Sequence, residues 1–279
     1  LRVLAHLAWW SHMRTCIIHA EVMPTLASLI EQTPSIVPGD LLTEKLILHI
    51  ITYISCVSEE YKVMLVQNNI LPLLDILFCR LSSSGDIACA LHARKFIAMS
   101  VRSLTASQGA INKLVGDGAI RLVCNIMCAG EDTNSDVYEN CAISLYSVAQ
   151  TQYYNDVLLE QGLLKAISRL AQHPECFGIA ASILYLLSSD PQHRELVVLD
   201  SGARNLLFAI ADQPTHSKSA IQFCAQTLFC LSRCAAESRE VLISAGLVPL
   251  LLRLSGHDDE KVASPCLSLI HISEPTRPE

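Results

Sequence analysis

The stretch AGLVPLLLRL at residues 245–254 decides the fold, because five other stretches of the chain align with it without gaps. They are AEVMPTLASL at 20–29, NNILPLLDIL at 68–77, DGAIRLVCNI at 117–126, QGLLKAISRL at 161–170 and SGARNLLFAI at 201–210. The second residue of each stretch is its anchor, and the anchors are Glu21, Asn69, Gly118, Gly162, Gly202 and Gly246. Successive anchors are 48, 49, 44, 40 and 44 residues apart. This spacing indicates a repeat of about 45 residues.

Apolar residues fill two positions of every aligned stretch, five and eight residues after the anchor. The first column holds Leu26, Leu74, Val123, Ile167, Leu207 and Leu251, and the second holds Leu29, Leu77, Ile126, Leu170, Ile210 and Leu254. Because residues three apart lie on one face of an α-helix, each stretch predicts an amphipathic helix. A unit that recurs at this period buries its apolar face against neighbouring copies.

Each repeat has the same predicted order of three helices. A short helix precedes the anchor, a second follows it, and a longer third helix comes after a polar loop. The four anchor glycines predict a sharp turn with positive φ; Asn69 suits this turn, and Glu21 departs from it. Pro24, Pro72 and Pro249 fall in the first turn of the second helix, where a missing N–H costs nothing.

The composition argues against several classes of protein. Apolar residues make up 51% of the chain and aromatic residues 5%, which favours helices rich in Leu, Ile, Val and Ala. The net charge of −7 argues against nucleic-acid binding, and no apolar run reaches about 18 residues, so no membrane span is predicted. The twelve cysteines never form a CxxC pair, which favours reduced, buried thiols in the cytoplasm or nucleus.

No constellation of catalytic residues is evident. GDGAIR at 116–121 lacks the third glycine and the preceding strand of a dinucleotide-binding loop, and no serine lies in a GxSxG elbow. His12, Cys16 and His19 are spaced to share a helix face, but we interpret them as incidental because no fourth zinc ligand is nearby. The sequence therefore predicts a protein that is not an enzyme and that uses no cofactor or metal.

The triplet of helices resembles the armadillo repeat family, and the resemblance covers residues 1–266. It implies an all-α fold, a right-handed α-solenoid superhelix with three helices per repeat. LRVLAHLAW at 1–9 is then the third helix of a preceding repeat, five complete repeats follow, and a sixth begins. HEAT repeats are the near alternative, but the glycine anchor and the short first helix favour armadillo.

Residues 267–279, LSLIHISEPTRPE, depart from the family pattern. They resemble the translation of a synthetic adapter used in preparing DNA sequencing libraries, so we predict that this tail is not native. The alternative is a genuine short C-terminal helix that ends before Pro275.

The resemblance places the partner-binding surface on the third helices. In nuclear-import adaptors of the importin-alpha type, a Trp column and an Asn column on these helices bind an extended peptide. Here the Trp column holds Arg2, His49, Met99, Ile143, Ser182 and Gln226, and the Asn column holds His6, Tyr53, Ser103, Ser147, Leu186 and Cys230. Because neither Trp nor Asn occurs in these columns, the peptide ladder of those adaptors is not expected.

The positions one turn earlier hold Lys45, Lys95, Glu139, Gly178 and Gln222. The predicted partner-binding groove consists of Lys45, His49, Tyr53, Lys95, Met99, Ser103, Glu139, Ser147, Gln222 and Gln226. Its basic character near Lys45, His49 and Lys95 predicts a protein or extended-peptide partner with an acidic segment. The alternative is that these are ordinary solvated residues.

The expected function is a non-catalytic protein-interaction scaffold in the cytoplasm or nucleus. The alternatives are a nuclear-import adaptor of the importin-alpha type and a recruiting or regulatory module of a larger enzyme.

Overall fold

The computed structural model describes residues 1–20, 22–32, 41–129, 134–212 and 218–273, with side chains as far as 268 in the last range and as far as 30 in the second. Within these ranges every regular element is a helix. The chain forms two compact units, an N-terminal unit, Leu1–Ser147, and a C-terminal unit, Val148–Glu279.

The N-terminal unit begins with one helix and continues with three triplets of helices. In chain order they are α1 (Arg2–Trp9); α2 (Ser11–His19), α3 (Val22–Gln32) and α4 (Leu42–Ser55); α5 (Glu59–Gln67), α6 (Ile70–Ser82) and α7 (Ile87–Thr105); α8 (Ile111–Gly116), α9 (Ala119–Cys128) and α10 (Ser135–Ala149). In each triplet the third helix is the longest. This is the order that the sequence predicts for every repeat.

The C-terminal unit continues the same order. Its helices are α11 (Asn155–Glu160), α12 (Leu163–Ser168) and α13 (Phe177–Ser189); α14 (Pro191–Leu199), α15 (Ser201–Asp212) and α16 (Lys218–Leu231); α17 (Ala236–Ser244), α18 (Leu247–Ser255) and α19 (Glu260–Ser273). Short 3₁₀ turns at Gln152–Tyr154, Arg169–Gln172 and Pro174–Cys176 flank the first triplet's short helices. The predicted non-native tail begins inside α19, and residues 274–279 lie outside the described residues.

Helices pack against their counterparts in the next triplet. Third helices stack on third helices, as α1 on α4 and α4 on α7 in the N-terminal unit, and α13 on α16 and α16 on α19 in the C-terminal unit. Second helices α12, α15 and α18 also pack in succession. Each triplet therefore covers the apolar face of its neighbour within the unit, as expected for repeats that have no core of their own.

The two apolar columns of the sequence form the core between these helices. Eleven of the twelve column residues are buried, and Leu29 is half-buried. The first-column residues are at most 3% exposed, and burying one such side chain stabilises the fold by about 1.5–3 kcal/mol. The periodicity thus identified the packing faces correctly.

Four of the anchors make equivalent corners between the first and second helices. Asn69, Gly118, Gly162 and Gly246 have φ values of 57°, 95°, 91° and 102°. Each anchor donates its N–H to the carbonyl three residues earlier, for example Gly246 to Ile243 at 3.0 Å. Since a side chain is strained at positive φ, the predicted glycine turn is confirmed at these positions, with asparagine as the tolerated substitute.

The prediction of the same turn at Gly202 is wrong. Gly202 is the second residue of α15, and its φ is not positive. The chain turns instead at Asp200, whose extended backbone (φ −74°, ψ 114°) ends α14 and whose carboxylate accepts the N–H of Ala203 at 2.7 Å. A Cβ on Gly202 would lie 2.5 Å from the Cβ of Ser168, so this glycine is needed for the close approach of α12 and α15. The sixth anchor, Glu21, lies outside the described residues.

All twelve cysteines lie in the described part of the chain, and none of them forms a disulfide. Burial raises the pKa of the Cys124 and Cys224 thiols to about 12. Such thiols are protonated at neutral pH and are poor nucleophiles. They act as small apolar side chains of the core.

In the part of the chain that the structure describes, no single helix has both the length and the apolar character needed to cross a membrane. The helices α5 and α6 meet that requirement only when joined, and they are bent by 71° at their junction.

We expect Gly202→Ala to destabilise the C-terminal unit by about 1–3 kcal/mol, because the added methyl group overlaps Ser168. The measurement is the midpoint of urea unfolding. Adding Ser168→Gly should recover part of the loss.

Gly116→Ala is the matched control for this steric effect. Gly116 ends α8, its φ is not positive, and no neighbouring atom would lie within 4 Å of the new Cβ. We expect it to leave stability unchanged or to raise it by about 0.5–1 kcal/mol. Equal effects of the two substitutions would contradict the close-approach explanation.

Candidate functional site

A cluster of five rings lies on the third helices of the N-terminal unit. We call it the ring cluster; it consists of Trp9 on α1, His49 and Tyr53 on α4, and His92 and Phe96 on α7. Trp9 is 60% exposed, and the other four side chains are half-buried. The cluster is therefore a surface that another molecule can contact.

The rings touch one another in an unbroken chain across three helices. Trp9 meets Tyr53 edge-to-face, with ring centroids 5.3 Å apart, and Tyr53 meets His49 at 6.2 Å. Phe96 lies 4.4 Å from the rings of both His49 and His92. Ring pairs in such tilted arrangements attract one another beyond the area they bury, so the cluster is held in one arrangement before any partner arrives.

The two histidines of the cluster meet through their outer ring nitrogens. The Nε2 atoms of His49 and His92 are 2.9 Å apart, a distance at which one ring donates a hydrogen bond and the other accepts it. Burial lowers the pKa of His49. Burial, and then the charges of His49 and Lys45, lower the pKa of His92 to about 4. Both rings are therefore neutral at pH 7.

Polar contacts fix α4 against α7 beneath the rings. The hydroxyl oxygen of Thr52 lies 3.0 Å from that of Ser100 and 3.2 Å from the carbonyl oxygen of Phe96. Ser103 donates to the carbonyl of Ser55 at 2.7 Å. Thr52 and Ser100 are buried, and buried polar groups need partners. These contacts set the register that brings His49 opposite His92.

Arg14 braces the other end of the cluster. Its guanidinium donates to the carbonyls of Ala8, Trp9 and Cys56 at 2.9, 3.1 and 3.3 Å. It also lies 5.7 Å from the centre of the Tyr53 ring. A cation at these helix ends satisfies carbonyls that have no partner within their own helix, and it fixes Trp9 relative to Tyr53.

Lys45 and Lys95 lie beside acidic side chains. A hydrogen bond with the Cys89 thiol raises the pKa of Lys45 despite some desolvation, and the Asp86 carboxylate adds to this effect. The ammonium of Lys95 is 2.7 Å from Asp136, in a pair whose side chains are 39% and 55% exposed. Since the nearby histidines are neutral at pH 7, the positive charge on the Lys45–Lys95 side of this surface comes from the two lysines.

The other predicted groove residues fall into three groups. Met99 is half-buried and Glu139 is exposed. Ser147 donates its hydroxyl to the carbonyl of Ile143 at 2.9 Å, as Ser103 does to Ser55. Gln222 and Gln226 are half-buried on α16 of the C-terminal unit. The structure brings His49 and Tyr53 into the ring cluster.

The sequence reasoning missed Trp9, His92 and Phe96. The column alignment paired His49 with Met99, fifty residues later, because these positions are equivalent within their repeats. The neighbour of His49 in space is His92, forty-three residues later. The available signal was the spacing of His92 and Phe96, which are four residues apart and therefore share one helix face.

Metal-ligating side chains are scattered in the described ranges. No group of three or more His, Cys, Asp and Glu side chains there is arranged to hold a metal ion. The sequence analysis interprets His12, Cys16 and His19 as sharing a helix face incidentally. Of these, His19 has its Nε2 atom 2.7 Å from the hydroxyl oxygen of Tyr61. Its side chain is thus engaged in packing α2 against α5.

Comparison with known proteins identifies the fold. No protein-family model matches the sequence, and no curated protein is similar to it. Among solved structures, a set of computationally designed armadillo repeat proteins for modular peptide recognition matches with a TM-score of 0.63 and 17% identity, over 89% of this chain and 98% of that chain. The chain has an armadillo-repeat fold.

Two further designed armadillo repeat proteins agree with this assignment. YIII(Dq)4CqI matches with a TM-score of 0.60 and 17% identity, over 89% of this chain and 98% of that one. YIII(Dq.V1)4CPAF, solved in complex with the peptide (KR)4, matches with a TM-score of 0.62 and 16% identity over the same shares. The predicted all-α armadillo fold is confirmed, and the ring cluster lies on its third helices.

We expect the wild-type protein to lose stability as the pH falls from about 6.5 to about 4, and to lose more than His92→Gln does. In the unfolded chain His49 and His92 take up protons near pH 6.5. In the folded chain the pKa of His49 is lower than this, and that of His92 is about 4. The unfolded state therefore binds more protons in this window, and acid favours it. The measurement is the free energy of urea unfolding at a series of pH values with a chelator present.

His6→Gln is the control for this pH dependence, because His6 is an exposed residue of α1 in the same unit. It should keep the wild-type pH profile. Parallel profiles for wild type and His92→Gln would show that the histidine pair does not couple to folding.

Proposed function

We propose that the chain is a non-catalytic protein-interaction scaffold that binds an extended peptide segment along the third helices of its N-terminal unit. The observation that carries the proposal is the ring cluster, a preformed and partly exposed aromatic surface on those helices. Aromatic side chains of this kind supply much of the binding energy of protein interfaces. The peptide-recognition and peptide-complex descriptions of the designed armadillo proteins support the same class of ligand.

The rigidity of the cluster favours binding. Polar contacts between α4 and α7 and the brace of Arg14 hold the rings in place. Because the surface is already ordered, binding a partner costs little free energy for ordering it. The affinity for a given contact area is therefore higher.

We propose that the bound segment carries acidic residues near its apolar contacts. Lys45 and Lys95 lie on the same two helices as the histidines. The ion pair of Lys95 with Asp136 is exposed, and such pairs contribute only about 0–1 kcal/mol. A carboxylate of the partner can therefore replace Asp136 beside Lys95 at little cost, and another acidic residue of the partner can pair with Lys45.

The peptide ladder of an importin-alpha adaptor fits this surface poorly. In the Asn column, Ser103 and Ser147 have their hydroxyls bonded to main-chain carbonyls of this chain. They offer no amide that both donates to and accepts from a peptide backbone. We therefore propose recognition through rings and charges rather than through a ladder of amides.

We propose a reducing compartment, the cytoplasm or the nucleus, as the location. The support is the set of twelve cysteines, none of which forms a disulfide and of which Cys16, Cys56 and Cys79 are exposed. Exposed unpaired thiols are typical of reducing environments.

The test is selection of peptides from a random display library on the full chain, followed by affinity measurements with the selected peptides. We expect Tyr53→Ala and Phe96→Ala each to weaken binding by about tenfold or more, since each removes a central ring contact. Lys45→Glu and Lys95→Glu should weaken the binding of acidic peptides. The loss of affinity relative to wild type should be larger at low salt, where the charges are less screened. Circular dichroism of each variant checks that it remains folded.

Lys62→Glu is the matched charge control, because Lys62 lies on the first helix α5 of the same unit. It should leave the affinity unchanged. Selected peptides that bind all ring variants as tightly as wild type would refute this surface as the site. Selection of Lys- and Arg-rich peptides that need the rings would refute the acidic preference and leave the ring cluster as the site.

A further inference from the structure

We propose that His49 and His92 together form a binding site for a divalent transition-metal ion, Cu(II) or Ni(II), through their Nε2 atoms. The two atoms lie 2.9 Å apart on half-exposed side chains of neighbouring third helices. This inference does not depend on the proposed recognition of peptides, although the site uses two members of the ring cluster.

The distance between the two nitrogens fits one class of coordination geometry. Metal–imidazole bonds are about 2.0–2.1 Å long, so two nitrogens in a tetrahedral site are about 3.3 Å apart. Two nitrogens at adjacent corners of a square or octahedron are about 2.9 Å apart, and those shapes are typical of Cu(II) and Ni(II). The observed spacing is that of the second case, so a metal ion can enter with little movement of either helix.

The tautomers of the pair can adjust to a metal ion. Imidazole binds metals in its neutral form, through the lone pair of a ring nitrogen. The ring that donates in the metal-free pair changes tautomer, its proton moving from Nε2 to Nδ1, so that both Nε2 lone pairs point to the metal. No net proton is released.

The surroundings hold both rings and leave room for other ligands. Phe96 lies 4.4 Å from each imidazole, and Thr52, Ser100 and the carbonyl of Phe96 lock the two helices together. The rings are half-exposed, so water molecules complete the coordination sphere. The positive charge of Lys45 acts on His92 and repels a bound cation. The affinity for the metal ion is therefore lower than that of a site with three or four protein ligands.

The test uses the full chain without a polyhistidine tag, with Cys16, Cys56 and Cys79 replaced by Ser, because exposed thiols would bind or reduce Cu(II). Titration with CuCl2 and with NiCl2 gives the affinity, and electron paramagnetic resonance of the Cu(II) form counts the bound nitrogens. We expect one ion per chain, coupled to two imidazole nitrogens. Because the ion joins α4 to α7, it should also raise the unfolding temperature.

His49→Gln and His92→Gln should each weaken binding by about tenfold or more and leave one coupled nitrogen. His6→Gln and His12→Gln replace exposed histidines of the same unit and should leave the affinity and the spectrum unchanged. The proposal is overturned if either cluster variant binds Cu(II) as tightly as the parent, or if the parent spectrum shows a single nitrogen.

Discussion

Within each unit, burial of one apolar face of each helix against the next triplet is the constraint on which the rest of the structure depends. A single triplet has too few apolar contacts to close a core, and the six aligned stretches supply each layer with the same pair of apolar positions, eleven of the twelve being buried. For those positions to meet, the chain must turn sharply between the first and second helices. Four corners do so with a residue at positive φ, and the fifth described corner does so with a capping aspartate, Asp200.

The same stacking determines what the exposed face of the third helices presents. Residues more than forty positions apart become neighbours there, and they come from different repeats. The ring cluster arises in this way, since no two consecutive helices could bring Trp9, Tyr53 and Phe96 together. Buried hydroxyls beneath it hold the register of α4 and α7, so an interaction inside the core sets the geometry of an outside surface.

The ring cluster and the residues around it differ in how they can act. Serine hydroxyls and the guanidinium of Arg14 are bonded to main-chain carbonyls, so they position other residues. The exposed faces of the rings and the two lysines remain available to a ligand. The Nε2 atoms of the two histidines lie 2.9 Å apart, and the proposed metal site rests on this spacing. One small area of the surface thus combines apolar contact, charge and a close pair of imidazole nitrogens.

The sequence by itself determined the fold class, the order of the helices, the buried columns and four of the corners. These features recur with the period of the repeat, and each depends on local geometry: a face repeated every three or four residues, or a backbone angle that glycine permits. It placed Gly202 in the wrong role, because a glycine required by the contact with Ser168 has the same letter as a glycine required by its φ.

Only the tertiary structure decided which side chains meet across repeats. Aligning the repeats gives equivalent positions, such as His49 and Met99, but neighbouring helices are offset along their axes and of different lengths, fourteen residues in α4 and nineteen in α7. The offset puts His92 opposite His49 and Phe96 against both. That offset depends on how the buried side chains and hydroxyls of two layers fit together, and this fit has no period that a sequence can display.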